Sequence, residues 1–282
     1  MVKKNISIYG EMEVHSPFSN DQLVIDVSDT HMAIMVKMAG RSQVGAFELF
    51  EFDSSANDWY DVFYQVRTLS SILERSFNDT RLFFHSNEVV LLPADKFTTS
   101  SGETYMAALH GDNTHHVMKY DNVNIEPPIA NVFRISKSLN EMVNSNLIMV
   151  TARHIYSSLI ENLLSPHDKI TGTFLKVIFY YNRMIVVAIN KSMLQLVQSY
   201  CFQSPDDMLY YLLSIVQQFN LPVEETKVEL SGIVDAKSHY VEYIKKIFSH
   251  VSFESVPMEG SVKAQAHLYP THYFSPFMNL VV

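Results

Sequence analysis

Asp26 closes a short apolar run, Leu23-Val24-Ile25-Asp26, and opens a polar turn, Val27-Ser28-Asp29-Thr30-His31. That is the pattern of a buried strand meeting a loop. Gly232 stands alone at the end of a late strand, in Leu230-Ser231-Gly232-Ile233-Val234-Asp235, where ordinary turn chemistry accounts for it. His110, Asp112, His115 and His116 are residue types that bind metals. Their spacing matches no strong ligand pattern, and adjacent histidines on a strand point to opposite faces, so a surface loop is the reading. His154 and His167 are single histidines near helix ends, read as caps or solvated groups. Arg183 flanks a hairpin turn and reads as solvated, while Cys201 sits among apolar neighbours and reads as an inert thiol in a core strand. No nucleophile-elbow motif supports Ser-His-Asp catalysis.

Composition sets the frame for these residues. The 282 residues are 47% hydrophobic and 12% aromatic, enough for two cores of roughly 130–150 residues each. Lysine and arginine total 21 against 30 acidic residues, a net charge of −9 that opposes attraction to phosphate backbones and anionic lipid. Nucleic acid is therefore not the expected partner. A single cysteine allows no internal disulfide and fits a reducing compartment. Lys3 and Lys4 precede no apolar signal region, and no apolar run is long enough to span a bilayer. The expectation is a cytoplasmic chain.

The elements that must position the chemistry occur twice. Residues 23–73 read as three strands and a helix (23–26, 32–38, 44–52, then 59–73), and residues 173–219 repeat the plan (174–180, 184–190, 193–202, then 206–219). The helices match at a shift of 150: Val62 with Leu212, Val66 with Val216, Leu69 with Phe219. Asn57 or Asp58 is the expected cap of the first helix, and Ser204-Pro205-Asp206-Asp207 opens the second with a cap hydroxyl, proline at the first position and acids at the positive helix end. Residues 165–168, Ser-Pro-His-Asp, are the expected boundary between a first lobe, 1–168, and a second lobe with an aromatic tail, 169–282. Residues 87–124 have no counterpart in the second lobe and read as an insertion in the first. The expected class is α/β with mixed sheets, in two similar lobes facing each other across a cleft.

A duplicated β-β-β-α-β-α lobe resembles the actin, Hsp70 and sugar-kinase superfamily, whose lobes have ribonuclease H-like topology. Within it the chain is similar to the bacterial actin-like proteins of the PilM and FtsA type, and to a bacterial family of unknown function classed as putative actin-like ATPases. The resemblance covers most of residues 21–256. It implies ATP and Mg²⁺ held between the lobes by two phosphate loops and a glycine-rich adenosine loop. On that reading Asp26 organises Mg²⁺, Thr30 offers a hydroxyl to phosphate, Ser28 stands where the first phosphate loop has glycine, and Gly232 is what remains of the adenosine loop.

A Cβ at the glycine position costs on the order of 1 kcal/mol and blocks the close approach of backbone N–H groups to phosphate. Asp29 adds negative charge there, and the matching turn, around Lys176 and Tyr180-Tyr181-Asn182-Arg183, has neither Asp nor Gly. The expected function is thus a degenerate nucleotide-binding fold serving as a protein-interaction or scaffold module, with the insertion and the tail as contact surfaces. The alternative is an active ATPase or kinase-like enzyme of the same fold. A two-metal nuclease would need Asp26 joined by Asp29, Glu48 or Glu51, but Glu48 and Glu51 read more simply as the solvent face or edge of a strand.

Overall fold

The computed structural model describes residues 1–10, 20–40, 44–53, 58–164, 170–256 and 266–281. The expected boundary at 165–168, the alternative cap Asn57 and His167 lie outside them. Two compact units are present, one formed mainly by Met1–Leu159, the other mainly by Ile160–Pro257 and His267–Asn279.

In the first unit, strands β1 (Lys3–Tyr9), β2 (Gln22–Val27), β3 (His31–Lys37), β4 (Val44–Glu51), β5 (Thr80–Phe84) and β9 (Val150–His154) form one sheet in the order β1-β4-β3-β2-β5-β9. The β1/β4, β4/β3 and β3/β2 pairs are antiparallel, and β2/β5 and β5/β9 are parallel. Parallel neighbours need crossovers, and helices α1 (Trp59–Leu69) and α3 (Lys137–Asn146) belong to them. Asp58 caps α1 by accepting a hydrogen bond from Tyr60 N at 2.8 Å. Val62, Phe63 and Val66 form its buried face. The helix stops at Leu69, which is 42% exposed, contrary to the expected apolar stripe through position 73. Glu48 holds the chain there: its carboxylate accepts bonds from Ser70 Oγ and Ser71 N and turns the backbone away.

In the second unit, β10 (Thr173–Tyr180), β11 (Arg183–Asn190), β12 (Met193–Cys201), β13 (Lys227–Gly232) and β14 (His250–Phe253) lie in the order β12-β11-β10-β13-β14, with the same alternation of two antiparallel and two parallel pairs. Five strands of each unit therefore share one topology. The first unit adds β1 at an edge, and the repeated plan read from the sequence is the observed one. Helix α5 (Pro205–Gln218) begins in a capping box, with Ser204 and Asp207 satisfying each other's backbone N–H groups, and buries Met208, Leu212, Ile215 and Val216. Ser238 caps α6 (His239–Ile247), whose Val241 and Ile244 are buried. From the tail, Phe274, Phe277 and Met278 are buried.

A third, small sheet, β6-β8-β7, follows β5 in the first unit: β6 is Val89–Pro93, β7 His116–Val123 and β8 Ile129–Ser136. Its central strand thus comes after the 87–124 stretch. Helix α2 (Thr99–His110) covers it, and Leu92, Met106 and Val132 form its core.

Candidate functional site

Asp26 lies near the C-terminal end of β2, in register with Phe83 of the parallel strand β5. The C-terminal ends of parallel strands are where open α/β sheets place their sites. The four residues after Val27 form a closed turn, Ser28 N donating to His31 O at 2.9 Å. Ser28 Oγ then accepts from Thr30 N at 3.1 Å and His31 N at 3.0 Å, and lies 2.7 Å from His31 Nδ1. Three of the turn's four backbone N–H groups, those of Ser28, Thr30 and His31, are thus taken within the turn.

Asp26 is fully buried. Its Oδ1 is 2.6 Å from His85 Nε2, and its Oδ2 is 3.5 Å from His31 Nε2. Burial alone would raise its pKa, but attraction and hydrogen bonding from His85 and His31 outweigh it and hold the carboxyl at about 2. An ionised carboxylate only accepts, so His85 Nε2 carries the hydrogen of that bond. Because Ser28 Oγ already accepts two N–H groups, its hydroxyl hydrogen is free to go to His31 Nδ1, which leaves the His31 proton on Nε2, facing Asp26. Burial also pushes His31 below the usual imidazole range, against the pull of Asp26.

His154, at the end of β9, is the third buried imidazole of this layer. Burial, then repulsion from His85, drives its pKa down to about 3, with Asp26 pulling the other way. Ser86 N points at its Nε2 from 3.1 Å and Tyr156 N at its Nδ1 from 3.2 Å. A neutral ring accepts one such bond and an imidazolium accepts neither, so the site favours the neutral form. Asp121 Oδ2 binds the His154 backbone N–H at 2.7 Å and the Ser157 hydroxyl at 2.6 Å.

Asp26, Ser28 and Thr30 are brought together in the first unit; Gly232 belongs to the second. Gly232 has φ +84°, and a Cβ on it would lie 2.2 Å from Phe179 O, because β13 pairs with β10 at that point. Its identity is demanded by strand pairing. In the turn that matches 28–31, Tyr181 and Asn182 alone join β10 to β11, and Tyr181 takes φ 52°. Lys176 is buried in ion pairs with Glu229 at 2.8 Å and Glu254 at 2.6 Å.

Four readings need correction. Arg183 is 6% exposed and not a solvated turn residue. Glu48 is wholly buried, accepting from Tyr9 and Ser70 hydroxyls and Ser71 N, with Lys4 Nζ at 3.5 Å, so it cannot join Asp26 in a metal pair. Cys201 is exposed at the end of β12 instead of in the core. For His154 only the solvated alternative is corrected: it is fully buried, and it caps helix α4 (Ile155–Leu163), its Nδ1 accepting from Tyr156 N at 3.2 Å. Sequence reading also missed His31 and His85 as partners of Asp26. The signal was the strand-end rule, since His85 directly follows β5, beside β2.

Mg²⁺ takes oxygen ligands in octahedral geometry. Around Asp26 the nearest polar neighbours are imidazole nitrogens, and one carboxylate oxygen is already engaged by His85. The residues present do not suit Mg²⁺.

The fold, with two units of one topology and a carboxylate at the end of β2, is that of the actin-like ATPases. It aligns with a Bacteroides thetaiotaomicron protein of actin-like ATPase fold and unknown function, at 17% identity and a TM-score of 0.74, over 89% of this chain and 96% of that one. It also aligns with the PilM–PilN type IV pilus biogenesis complex, at 9% identity and a TM-score of 0.67, over 92% of this chain and 97% of that one. Comparison with curated proteins finds no match. Residues 15–251 match the family described as "Protein of unknown function (DUF3822)", and the chain belongs to that family.

Proposed function

We propose that this chain is a cytoplasmic partner-binding module on an actin-like fold whose nucleotide site has been lost. The observation that carries the reading is the commitment of Asp26 to His85 and His31, within a turn closed by Ser28. A phosphate loop needs free backbone N–H groups, a glycine and a carboxylate available to Mg²⁺ and its waters. Here the Thr30 and His31 N–H groups are taken by Ser28 Oγ, and the carboxylate is held by imidazoles. The two-residue turn between β10 and β11 offers few N–H groups for a second phosphate contact. Gly232 has a structural reason to be glycine that owes nothing to adenosine.

A partner role is supported by the likeness to PilM, which was solved in complex with PilN. The small sheet β6-β8-β7 and its helix expose Tyr105 (45%), Leu109 (65%) and Tyr120 (49%), apolar groups suited to a protein contact. Among the described residues no helix is long and apolar enough to cross a membrane. The test is thermal unfolding with Mg²⁺·ATP at millimolar concentration. A ligand at 100 times its Kd adds roughly 2.7 kcal/mol of stability. An unchanged midpoint is expected, and a dose-dependent rise that Asp26→Ala abolishes would overturn the reading.

A further inference from the structure

The same three side chains that exclude Mg²⁺ make a different offer. Asp26, His31 and His85 each present one ligand atom, and those atoms lie within 4.8 Å of one another. Two imidazoles and a carboxylate are the donor set of zinc-class ions, which bind nitrogen at roughly 2.0–2.1 Å and carboxylate oxygen at roughly 2.0–2.2 Å. Around a tetrahedral ion with such bonds, neighbouring ligand atoms stand roughly 3.3 Å apart. The 3.5 Å between Asp26 Oδ2 and His31 Nε2 already has that spacing. Oδ2 is buried and faced by His31 Nε2 in a long 3.5 Å contact, so an ion has only the His31 ring proton to displace before it can use this lone pair. His85 Nε2 must exchange its hydrogen bond to Oδ1 for the metal, moving its ring proton to Nδ1.

The support behind the ligands also has the form such sites need. A metal-bound histidine is usually fixed through its other nitrogen. Ser28 Oγ, 2.7 Å from His31 Nδ1, supplies this: when the ion takes Nε2 and the ring proton moves to Nδ1, the hydroxyl hydrogen turns to His31 O, 3.4 Å away, and one of its two backbone N–H bonds yields to Nδ1–H. The His85 side chain is buried, while Asp29, Thr30 and Ser86 beside it are partly exposed and Asn87 is exposed, so the site lies close to the surface at the strand ends. This accounts for serine at the position where a phosphate loop would carry glycine.

We propose that Asp26, His31 and His85 bind one divalent transition-metal ion of the zinc class, with Ser28 orienting His31 and the remaining position open to water or an outside ligand. The proposal does not depend on the partner-binding reading and is tested separately from it.

The test uses the full chain, stripped with chelator and titrated calorimetrically with ZnCl₂. His115→Gln/His116→Gln serves as the background, to remove the one adjacent pair of histidines outside the site. One ion per chain is expected. His85→Gln should weaken binding at least 100-fold, and Ser28→Ala about 10- to 100-fold. X-ray absorption on the zinc-loaded background chain should show two imidazoles on the ion, a readout that stands even if His85→Gln fails to fold. No stoichiometric binding, equal affinity in a folded His85→Gln, or fewer than two imidazoles would overturn the assignment.

Discussion

Acid should weaken this protein through His154, and by an amount that can be worked out. In the unfolded chain its imidazole titrates near 6.5, while in the folded protein the pKa is about 3. Between those values the unfolded state holds a proton that the folded state does not, so stability is lost as pH falls below 6.5 and the loss ends near pH 3. The limiting slope is about 1.4 kcal/mol per pH unit for one proton. Taking both titrations together, the loss at pH 5 relative to neutral pH is about 2 kcal/mol from this residue. His31, also depressed, adds to it in the same direction.

The discriminating variant is His154→Gln, whose amide oxygen can accept the Ser86 N–H but does not titrate. It loses ring packing against Phe133 and Tyr156, whose centroids lie at 4.8 and 4.6 Å, so it should be less stable at pH 7.5. Urea unfolding at pH 7.5 and 5.0 should nevertheless show its acid loss smaller than wild type by about 2 kcal/mol. Equal losses in the two proteins would refute the claim that His154 is held neutral.

Gly232→Ala must place a Cβ 2.2 Å from Phe179 O at φ +84°, whereas Gly40→Ala meets nothing within 4 Å at φ +68°. The first should lower stability by about 3 kcal/mol or more and the second by about 1, read as urea midpoints at constant m-value. Lys176→Met removes the cation shared by Glu229 and Glu254 and leaves the latter largely buried, its side chain 13% exposed. A loss of about 3 kcal/mol is expected at neutral pH, and Lys176→Met with Glu254→Gln should recover part of it in the same assay.

The duplicated plan was legible because each copy writes it locally. The β10 run, Thr173–Tyr180, is apolar almost throughout, as a strand covered on both faces must be, and Ser204-Pro205-Asp206-Asp207 is a helix start in types and spacing alone. The end of α1 was not legible, because Ser70 and Ser71 stop it by bonding to Glu48, 22 and 23 residues earlier. The same contact hid the burial of Glu48: a lone glutamate in a strand reads as solvent-facing until its three donors are known. Asp26 was found from its place after an apolar run. His85 was not, since the two are 59 residues apart and meet only through the parallel pairing of β2 with β5. Gly232 was read as ordinary turn chemistry, or through the resemblance as a remnant of an adenosine loop; its pairing with Phe179, on a strand more than 50 residues away, is what no local pattern could show.

The most direct test of the central claim is a long-range ¹H–¹⁵N spectrum of the histidine rings at neutral pH, recorded with and without saturating Mg²⁺·ATP, with Asp26→Asn to assign the His85 signal. If Asp26 is committed to His85 and His31, His85 Nε2 carries a hydrogen-bonded proton whose signal does not move when nucleotide is added. A saturable change in that signal with Mg²⁺·ATP, absent in Asp26→Asn, would mean that the carboxylate is still available to a nucleotide-bound ion.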